Sequence, residues 1–278
     1  MEEDSILGSN IMNESRMNPD MLDKIEYGVT YAVIPARSGS KGIVHKNLRC
    51  IQGYPLMAYA IAVAKLSKCI DRIIVSTDSD HYAKIASYYG AEVPFLRPAK
   101  YATDTSEDID FIEHAINWCY RIEGTVPEFI AQVRPTVPFR KSGVIDDAIK
   151  AMKKDDTADS LQSAHIMDCV PYKSFLRDDA GYYHPLFPGM TLDDVNKSRH
   201  TFPDAYMADG YIDVLRTRSI ITTNTLHGTK MIGFITSEGI DIDNNDDFKK
   251  CEELIKGRDC EVLNYLKENY KRLSEIEQ

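Results

Sequence analysis

The stretch Tyr31-Ala-Val-Ile-Pro35-Ala-Arg37-Ser-Gly39-Ser-Lys41-Gly42, followed by Lys46-Asn47, constrains this chain more than any other segment. An apolar run meets a proline and then two glycines, the pattern of a buried strand breaking into a pliable loop. Arg37, Lys41 and Lys46 sit on or beside that loop. Glycines let successive backbone N–H groups turn to one side and the cations add charge, so the loop is suited to holding several phosphates. It is not a Walker A loop, which needs Gly-Lys-Ser/Thr opening a helix, nor the GxGxxG dinucleotide fingerprint.

The bulk of the chain narrows the partners. Lys and Arg number 33 against 43 Asp and Glu, a net charge of −10, so phosphate binding has to come from a local basic pocket on an acidic background. That balance argues against nucleic-acid or membrane partners. Cys50, Cys69, Cys119, Cys169, Cys251 and Cys260 form no CxxC pair, and no apolar run reaches membrane-spanning length. Free thiols in a reducing, cytoplasmic compartment are the expectation. The polar first 28 residues, without a basic start or apolar h-region, read as a flexible extension.

From residue 29 to 278 the chain reads as one α/β domain. Strand patterns at 30–35, 72–75, 92–96, 129–133, 158–164, 211–215 and 231–235 alternate with helical patterns at 54–68, 80–89, from about Thr105, 142–153, 245–256 and 260–274. This alternation predicts a Rossmann-like, mostly parallel sheet with helices on both faces. Between 165 and 207 aromatics, prolines and Asp-Asp pairs replace the rhythm, which marks an insertion too long for a plain loop. Its apolar groups, including Tyr172, Phe175, Tyr182 and Tyr183, need covering, and a second subunit would do so.

Polar residues punctuate three strand ends: Pro35 to Lys41, Ser76-Thr77-Asp78, and Arg134 to Arg140. In a parallel sheet these ends lie along one edge, where ligands bind in open α/β folds. Asp241 and Asp243 join them late in the chain. At i and i+2 of an extended segment the two carboxylates face the same way, a disposition that suits Mg2+ beside a nucleotide. The competing reading of the pair is as caps for the helix that follows.

In this order, Ala36-Arg37 to Lys41-Gly42 with Lys46-Asn47, Ser76-Thr77-Asp78, Arg97-Pro98, Asp104-Thr105, Pro135-Thr136 with Arg140, Arg199, and Asp241-Ile-Asp243 resemble the acylneuraminate cytidylyltransferases, enzymes that make CMP-activated sialic and related acids. The match covers roughly residues 30–260. The resemblance implies a nucleotidyltransferase fold that uses Mg2+, CTP and an acidic 2-keto sugar. It implies that Arg37, Lys41 and Lys46, with Ser40 and Gly42, cradle the triphosphate. Asn47 and Arg97 would contact the base, and Ala36, Ser76, Thr77 and Asp78 would line the nucleotide pocket. Asp241 and Asp243 would hold Mg2+. Lys173, Arg199 and Thr136 would reach the sugar, and the 165–207 insertion would pair two chains into a homodimer.

Three positions depart from the family pattern. Arg134 stands where Gln is common before Pro-Thr, Asp209 where Asn precedes Gly, and Asp213 where Tyr is usual three residues beyond that Gly. Arg134 could present a fixed fork to a carboxylate or phosphate. Asp213 could accept hydrogen bonds from the acceptor sugar, and Asp209 or a metal-bound hydroxide is the candidate base. The expected reaction is in-line attack of a sugar hydroxyl on the α-phosphorus of CTP, with positioning and charge supplying catalysis and no covalent enzyme intermediate. Two rivals stay open: transfer to a sugar 1-phosphate or phosphonate gripped by Arg134, and a non-catalytic nucleotide-sugar-binding module.

Overall fold

The computed structural model describes residues 17–40, 42–237 and 239–277. Its frame is a six-stranded sheet built from β1 (Ile25–Pro35), β2 (Arg72–Ser76), β3 (Val126–Gln132), β4 (Ser160–Ile166), β7 (Tyr206–Arg216) and β8 (Met231–Ile235), with spatial order β8-β4-β7-β3-β1-β2. β1 runs parallel to β2 and β3, and β4 runs parallel to β8. β7 alone is antiparallel, to both β3 and β4. The mostly parallel sheet read from the alternation is therefore present, with one reversed strand inside it.

Side chains alternate across the sheet with period two, and each face buries its own core. Ala32 and Ile34 of β1, Val75 of β2, Phe129 and Ala131 of β3, and Val214 of β7 meet one cluster. Val33, Ile74, Ile130 and Leu215 meet the other. The first cluster is covered by α1 (Leu56–Leu66), α2 (Asp80–Tyr88), α4 (Ser142–Lys154), α6 (Asn245–Leu254) and α7 (Glu261–Asn269). The second is covered by α3 (Asp108–Trp118) and α5 (Thr217–Thr223). Every residue of α1 from Leu56 to Ala64 is buried, as its Ala-rich, nearly uncharged sequence requires. α2 starts at Ser79, whose hydroxyl accepts from Tyr82 N, and Gly90, at φ +87°, follows its end as the pattern predicts.

Two boundaries differ from the expectation. Residues 17–28 are part of the domain and not of a flexible extension: Met17, Met21 and Ile25 are buried in the second cluster, a 3-10 helix spans Pro19–Lys24, and β1 begins at Ile25. Residues 1–16 lie outside the described residues. The first half of β1 escapes pattern reading because Gly28, at φ +82°, sits in a register shift between Glu26 and Thr30 that breaks the alternation. α3 begins not near Thr105 but at Asp108, where Asp110 Oδ2 accepts from Glu107 N at 3.0 Å. The 92–96 segment contributes only two isolated bridges, Ile74–Glu92 and Thr77–Leu96.

The 165–207 segment leaves from the end of β4 and returns into β7, its stem closed by the Ile166–Tyr206 pair. It holds a small hairpin, β5 (Phe175–Arg177) and β6 (Tyr183–Pro185). Phe175, Leu176, Tyr182, Tyr183, Leu186 and Leu192 are exposed on it. Tyr172 lies between Phe187 and Phe202, ring centroids 4.6 and 5.5 Å away. All six cysteines are free thiols, and no helix of the described residues is long and apolar enough to cross a membrane.

Candidate active site

A cavity of about 480 Å3 opens at the carboxyl edge of β1 and β3, within the usual range of small-molecule sites. Its near wall is the loop after β1, contributing Arg37, Ser40 and Gly42, with Lys46 and Asn47 beyond. The far wall is Arg134, Pro135 and Thr136 after β3, and Asp243 closes one side. The remaining lining comes from Arg97 and from residues 101–111, including Tyr101, Glu107, Asp108 and Phe111.

The loop after β1 is held from behind. Asp78 accepts from Ser38 N at 2.7 Å and from Ser38 Oγ at 2.9 Å, and Asn47 Nδ2 donates to Arg37 O at 3.0 Å. Gly42 is required by close approach: a Cβ there would stand 2.7 Å from the backbone oxygen of Asp243. The Asp241–Asp243 segment is thereby pressed against the loop, and Ile242 N donates to Thr136 O at 2.9 Å on its other side. Ile242 is buried in the core, Asp243 lines the cavity, and Asp241 is half-buried with its carboxylate beside Gly210. Neither aspartate caps α6. That task falls to Asn244, whose side chain accepts from Asp246 N and Asp247 N at 2.9 and 3.0 Å.

Arg37 and Lys46 each face an oxygen that an anionic ligand could replace. Arg37 lies 3.4 Å from Asp104 and donates to Thr103 O, and Lys46 Nζ lies 3.3 Å from Asp243 Oδ1. Arg134 is gripped from two sides, by Asp213 at 2.6 Å and Asp108 at 2.7 Å. Burial opposes its charge, and the two carboxylates outweigh burial and raise its pKa. Arg97 is buried, with its guanidinium 4.7 Å from the centre of the Phe111 ring, and burial lowers it to about 10. Arg140 is fully enclosed. It donates to the backbone oxygens of Val137, Tyr211 and Gly210, tying the far wall to β7, and burial lowers it to about 9.

The residues singled out from sequence separate into those on the cavity, those behind it and those away from it; Asp241, half-buried, is not part of the lining. Arg37, Ser40, Gly42, Lys46, Asn47, Arg97, Arg134, Thr136 and Asp243 come together on the cavity. Ala36, Ser76, Thr77 and Asp213 are buried behind it, and Asp78 works from behind through Ser38. Lys173 and Arg199 do not reach it; Lys173 Nζ donates to Lys197 O within the insertion. Lys41 lies outside the described residues. Asp209, the candidate base, is also off the cavity: its oxygens accept from Ser163 Oγ at 2.6 Å, Tyr211 N at 3.0 Å and Thr236 Oγ1. A carboxylate so engaged stabilises the bulge at Gly210 and is not placed to take a substrate proton.

Asp108 is the participant that sequence reasoning missed. It opens α3, where a carboxylate suits the helix dipole and so draws no notice. The signal that could have found it is the unexplained Arg134, a cation that needs a buried partner.

The Asp241–Asp243 pair fits a hard divalent cation. Asp241 Oδ1 is buried with no hydrogen-bond partner among the described residues, and the donors are carboxylate oxygens. Those residues contain no group of three or more His, Cys, Asp or Glu able to hold a metal, so phosphate or water oxygens would have to complete the shell.

Comparison with known proteins places these features in a family. A family model described as Cytidylyltransferase matches residues 31–180. The N-acylneuraminate cytidylyltransferase of Escherichia coli is 30% identical over 88% of this chain, which spans only 56% of that relative's length. The CMP-N,N'-diacetyllegionaminic acid synthase of Legionella pneumophila is 34% identical over 81% of this chain and 95% of its own. Among solved structures, CMP:2-keto-3-deoxy-manno-octonic acid synthetase complexed with CTP aligns with a TM-score of 0.61 at 14% identity, covering 82% of this chain and 98% of that one. At that identity the likeness speaks for the fold.

Proposed function

Because the chain belongs to the cytidylyltransferase family, we propose that it joins the CMP moiety of CTP to a hydroxyl of an acidic 2-keto sugar of the nonulosonate class, releasing pyrophosphate. The observation that carries this reading is the convergence of Arg37, Lys46, Asn47, Arg97 and Asp243 on one cavity at the sheet's carboxyl edge. The relatives named for N-acylneuraminate and N,N'-diacetyllegionaminic acid support the acceptor class.

In this reading Arg37, Lys46 and the backbone N–H groups of the loop hold the β- and γ-phosphates, with Lys41 assigned there from sequence. Asn47 and Arg97 position the base. Thr136 and Arg134 bound the acceptor end. Asp241 and Asp243 would hold Mg2+, which when bound supplies charge neutralisation on the phosphates. The acceptor oxygen bonds to the α-phosphorus as the bond to the pyrophosphate oxygen breaks, and the hydroxyl proton is lost to water. The cations that hold the leaving group favour that departure because charge builds there.

The exposed aromatic and aliphatic side chains of the insertion support a homodimer. Pairing through that surface would carry Lys173 and Arg199 toward the cavity of the other copy. The sugar 1-phosphate rival is weakened by the two carboxylates already on Arg134, which leave it poorly suited to a dianion.

The test is pyrophosphate release with Mg2+ across CTP, UTP, GTP and ATP, each paired with sialic, legionaminic and pseudaminic acids, 2-keto-3-deoxyoctonate and several sugar 1-phosphates. Release confined to CTP with a 2-keto acid is expected. Release only with a sugar 1-phosphate would move the acceptor assignment to the rival, and nucleotide binding with no release would favour the non-catalytic module.

A further inference from the structure

Asp213 is completely buried in the middle of β7, in register with Gln132 of β3 on one side and Gln162 of β4 on the other. An ionised carboxylate there needs a charged partner, and Arg134 supplies it, Nη1 to Oδ2 at 2.6 Å. The same guanidinium reaches Asp108 Oδ2 from Nη2 at 2.7 Å, and that oxygen also accepts from Gln132 Nε2 at 2.8 Å. Arg134 and Asp108 face the cavity, whereas Asp213 stands behind them. Both members of the pair are departures from the family pattern, Arg in place of Gln and Asp in place of Tyr. Asp213 without Arg134 would be a stranded buried charge, whereas Arg134 without Asp213 would still have Asp108.

Two carboxylates against one guanidinium leave the group with a net charge of −1. A substrate carboxylate approaching it meets that excess, so the wall is a poor anion clamp. A guanidinium nonetheless carries five N–H donors, and the two contacts use two of them. The fork is thus fixed in direction, neutralised, and still able to donate.

We infer that Asp213 is a positioning residue for the acceptor: it fixes Arg134 so that the guanidinium donates to an uncharged carbonyl or hydroxyl oxygen of the sugar and not to its carboxylate. This rests on the cytidylyltransferase reading and adds to it which end of the acceptor the far wall distinguishes. A salt bridge that merely fastened β3 to β7 would make no distinction between the two substrates.

The experiment is steady-state kinetics on the full chain, with acceptor and CTP varied separately, for the unsubstituted protein and for Arg134→Gln, Asp213→Asn and the double variant. Asp213→Asn is expected to raise acceptor KM about tenfold or more with CTP KM within about twofold, a split that marks lost acceptor contacts. The double variant is expected to be no worse than the poorer single one, because the two residues act as a unit. A fall in acceptor KM for Asp213→Asn would overturn the inference, since it would mean that Arg134 reads the carboxylate and Asp213 restrains it. An unchanged acceptor KM, or equal shifts for both substrates, would overturn it in favour of a structural bridge. Should Asp213→Asn fail to fold, Arg134→Lys keeps the charge and loses the fork: a raised acceptor KM alone supports the inference, and an unchanged one overturns it. If the unsubstituted protein binds CTP yet forms no CMP-sugar with any 2-keto acid, the parent reading fails and the inference with it. If it turns over normally and the variants match it, only the inference fails.

Discussion

Arg97 reaches back across the sheet edge to Ser76, with Nε 2.9 Å from the serine hydroxyl and Nη2 2.7 Å from its backbone oxygen. The end of β2 is thereby coupled to the segment that lines the cavity, and Ser76 serves the site without touching the space a ligand would fill. The guanidinium also covers the Phe111 ring, so one side chain joins β2, the 97–107 segment and α3.

Arg97→Ala should therefore cost both stability and nucleotide affinity. Removing a buried cation deletes both of its hydrogen bonds to Ser76, whose backbone oxygen keeps only Ala36 N, and opens a void over Phe111, changes of about 3 kcal/mol together. Differential scanning calorimetry should show a clear drop in Tm, and titration of CTP a weakening of about tenfold or more. Arg97→Lys should recover part of the stability and little of the affinity, since an ammonium cannot reproduce the fork. Full CTP affinity in the alanine variant would contradict a role at the base.

Asp241→Asn and Asp243→Asn separate the metal assignment from general damage. Each removes one carboxylate charge with little change of shape, so folding should be preserved. The Mg2+ concentration giving half-maximal turnover should rise by about tenfold or more in both variants. Calorimetric titration of Mg2+ in the presence of CTP should show the same weakening. An unaltered Mg2+ requirement in both would remove these residues from the metal site. Asp241, with its partnerless buried oxygen, should gain thermal stability when substituted by Asn in the absence of metal.

Burial, reinforced by nearby Arg97 and Lys100, pushes the His114 imidazole down from 6.5 to about 4. The unfolded chain takes up a proton near pH 6.5 that the folded protein refuses until about pH 4, so the contribution of His114 to stability is lost as pH falls through that window. Its ring packs edge-on against Phe95, with centroids 4.6 Å apart, a contact that phenylalanine can keep. His114→Phe should flatten the stability–pH curve between about pH 4 and 6.5, read from denaturant midpoints at several pH values. Parallel curves for the two proteins would refute the assignment.

The insertion gives a prediction about assembly. Leu176 and Tyr183 are more than half exposed on the small hairpin. Leu176→Asp and Tyr183→Asp should leave the monomer's far-ultraviolet spectrum unchanged and shift sedimentation from dimer to monomer. Their activity should fall with the dimer if Lys173 and Arg199 serve the other copy. A monomeric unsubstituted protein would dismiss both statements.

Much of this fold is legible in the sequence because it rests on short-range patterns. The apolar runs before Pro35, Ser76 and Arg134 each end at the cavity edge, and Gly90 stops α2 where expected. What escaped is set by register and direction. Residues 211–215 read as another strand, and nothing local shows that it starts at Tyr206 or runs antiparallel between β3 and β4. That reversal brings Asp213 under Arg134 and turns Asp209 toward Ser163 and Thr236. α5, the run Thr217–Thr223, is rich in β-branched residues of low helix propensity and forms through the burial of Ile220 and Ile221. Within the site, Ala36, Ser76, Thr77 and Asp78 lie at the right strand ends, but the pleat places them behind the cavity wall, a distinction of one residue that composition cannot resolve.

The central claim, cytidylyl transfer to a 2-keto sugar acid, is tested most directly by following phosphorus NMR of one reaction. CTP, Mg2+ and a nonulosonate are mixed with the protein, then repeated with Arg37→Ala. The account predicts equal amounts of pyrophosphate and a CMP phosphodiester bearing the sugar, and loss of both signals in the variant. CTP left intact with every 2-keto acid, or pyrophosphate appearing without a CMP-sugar, would contradict it.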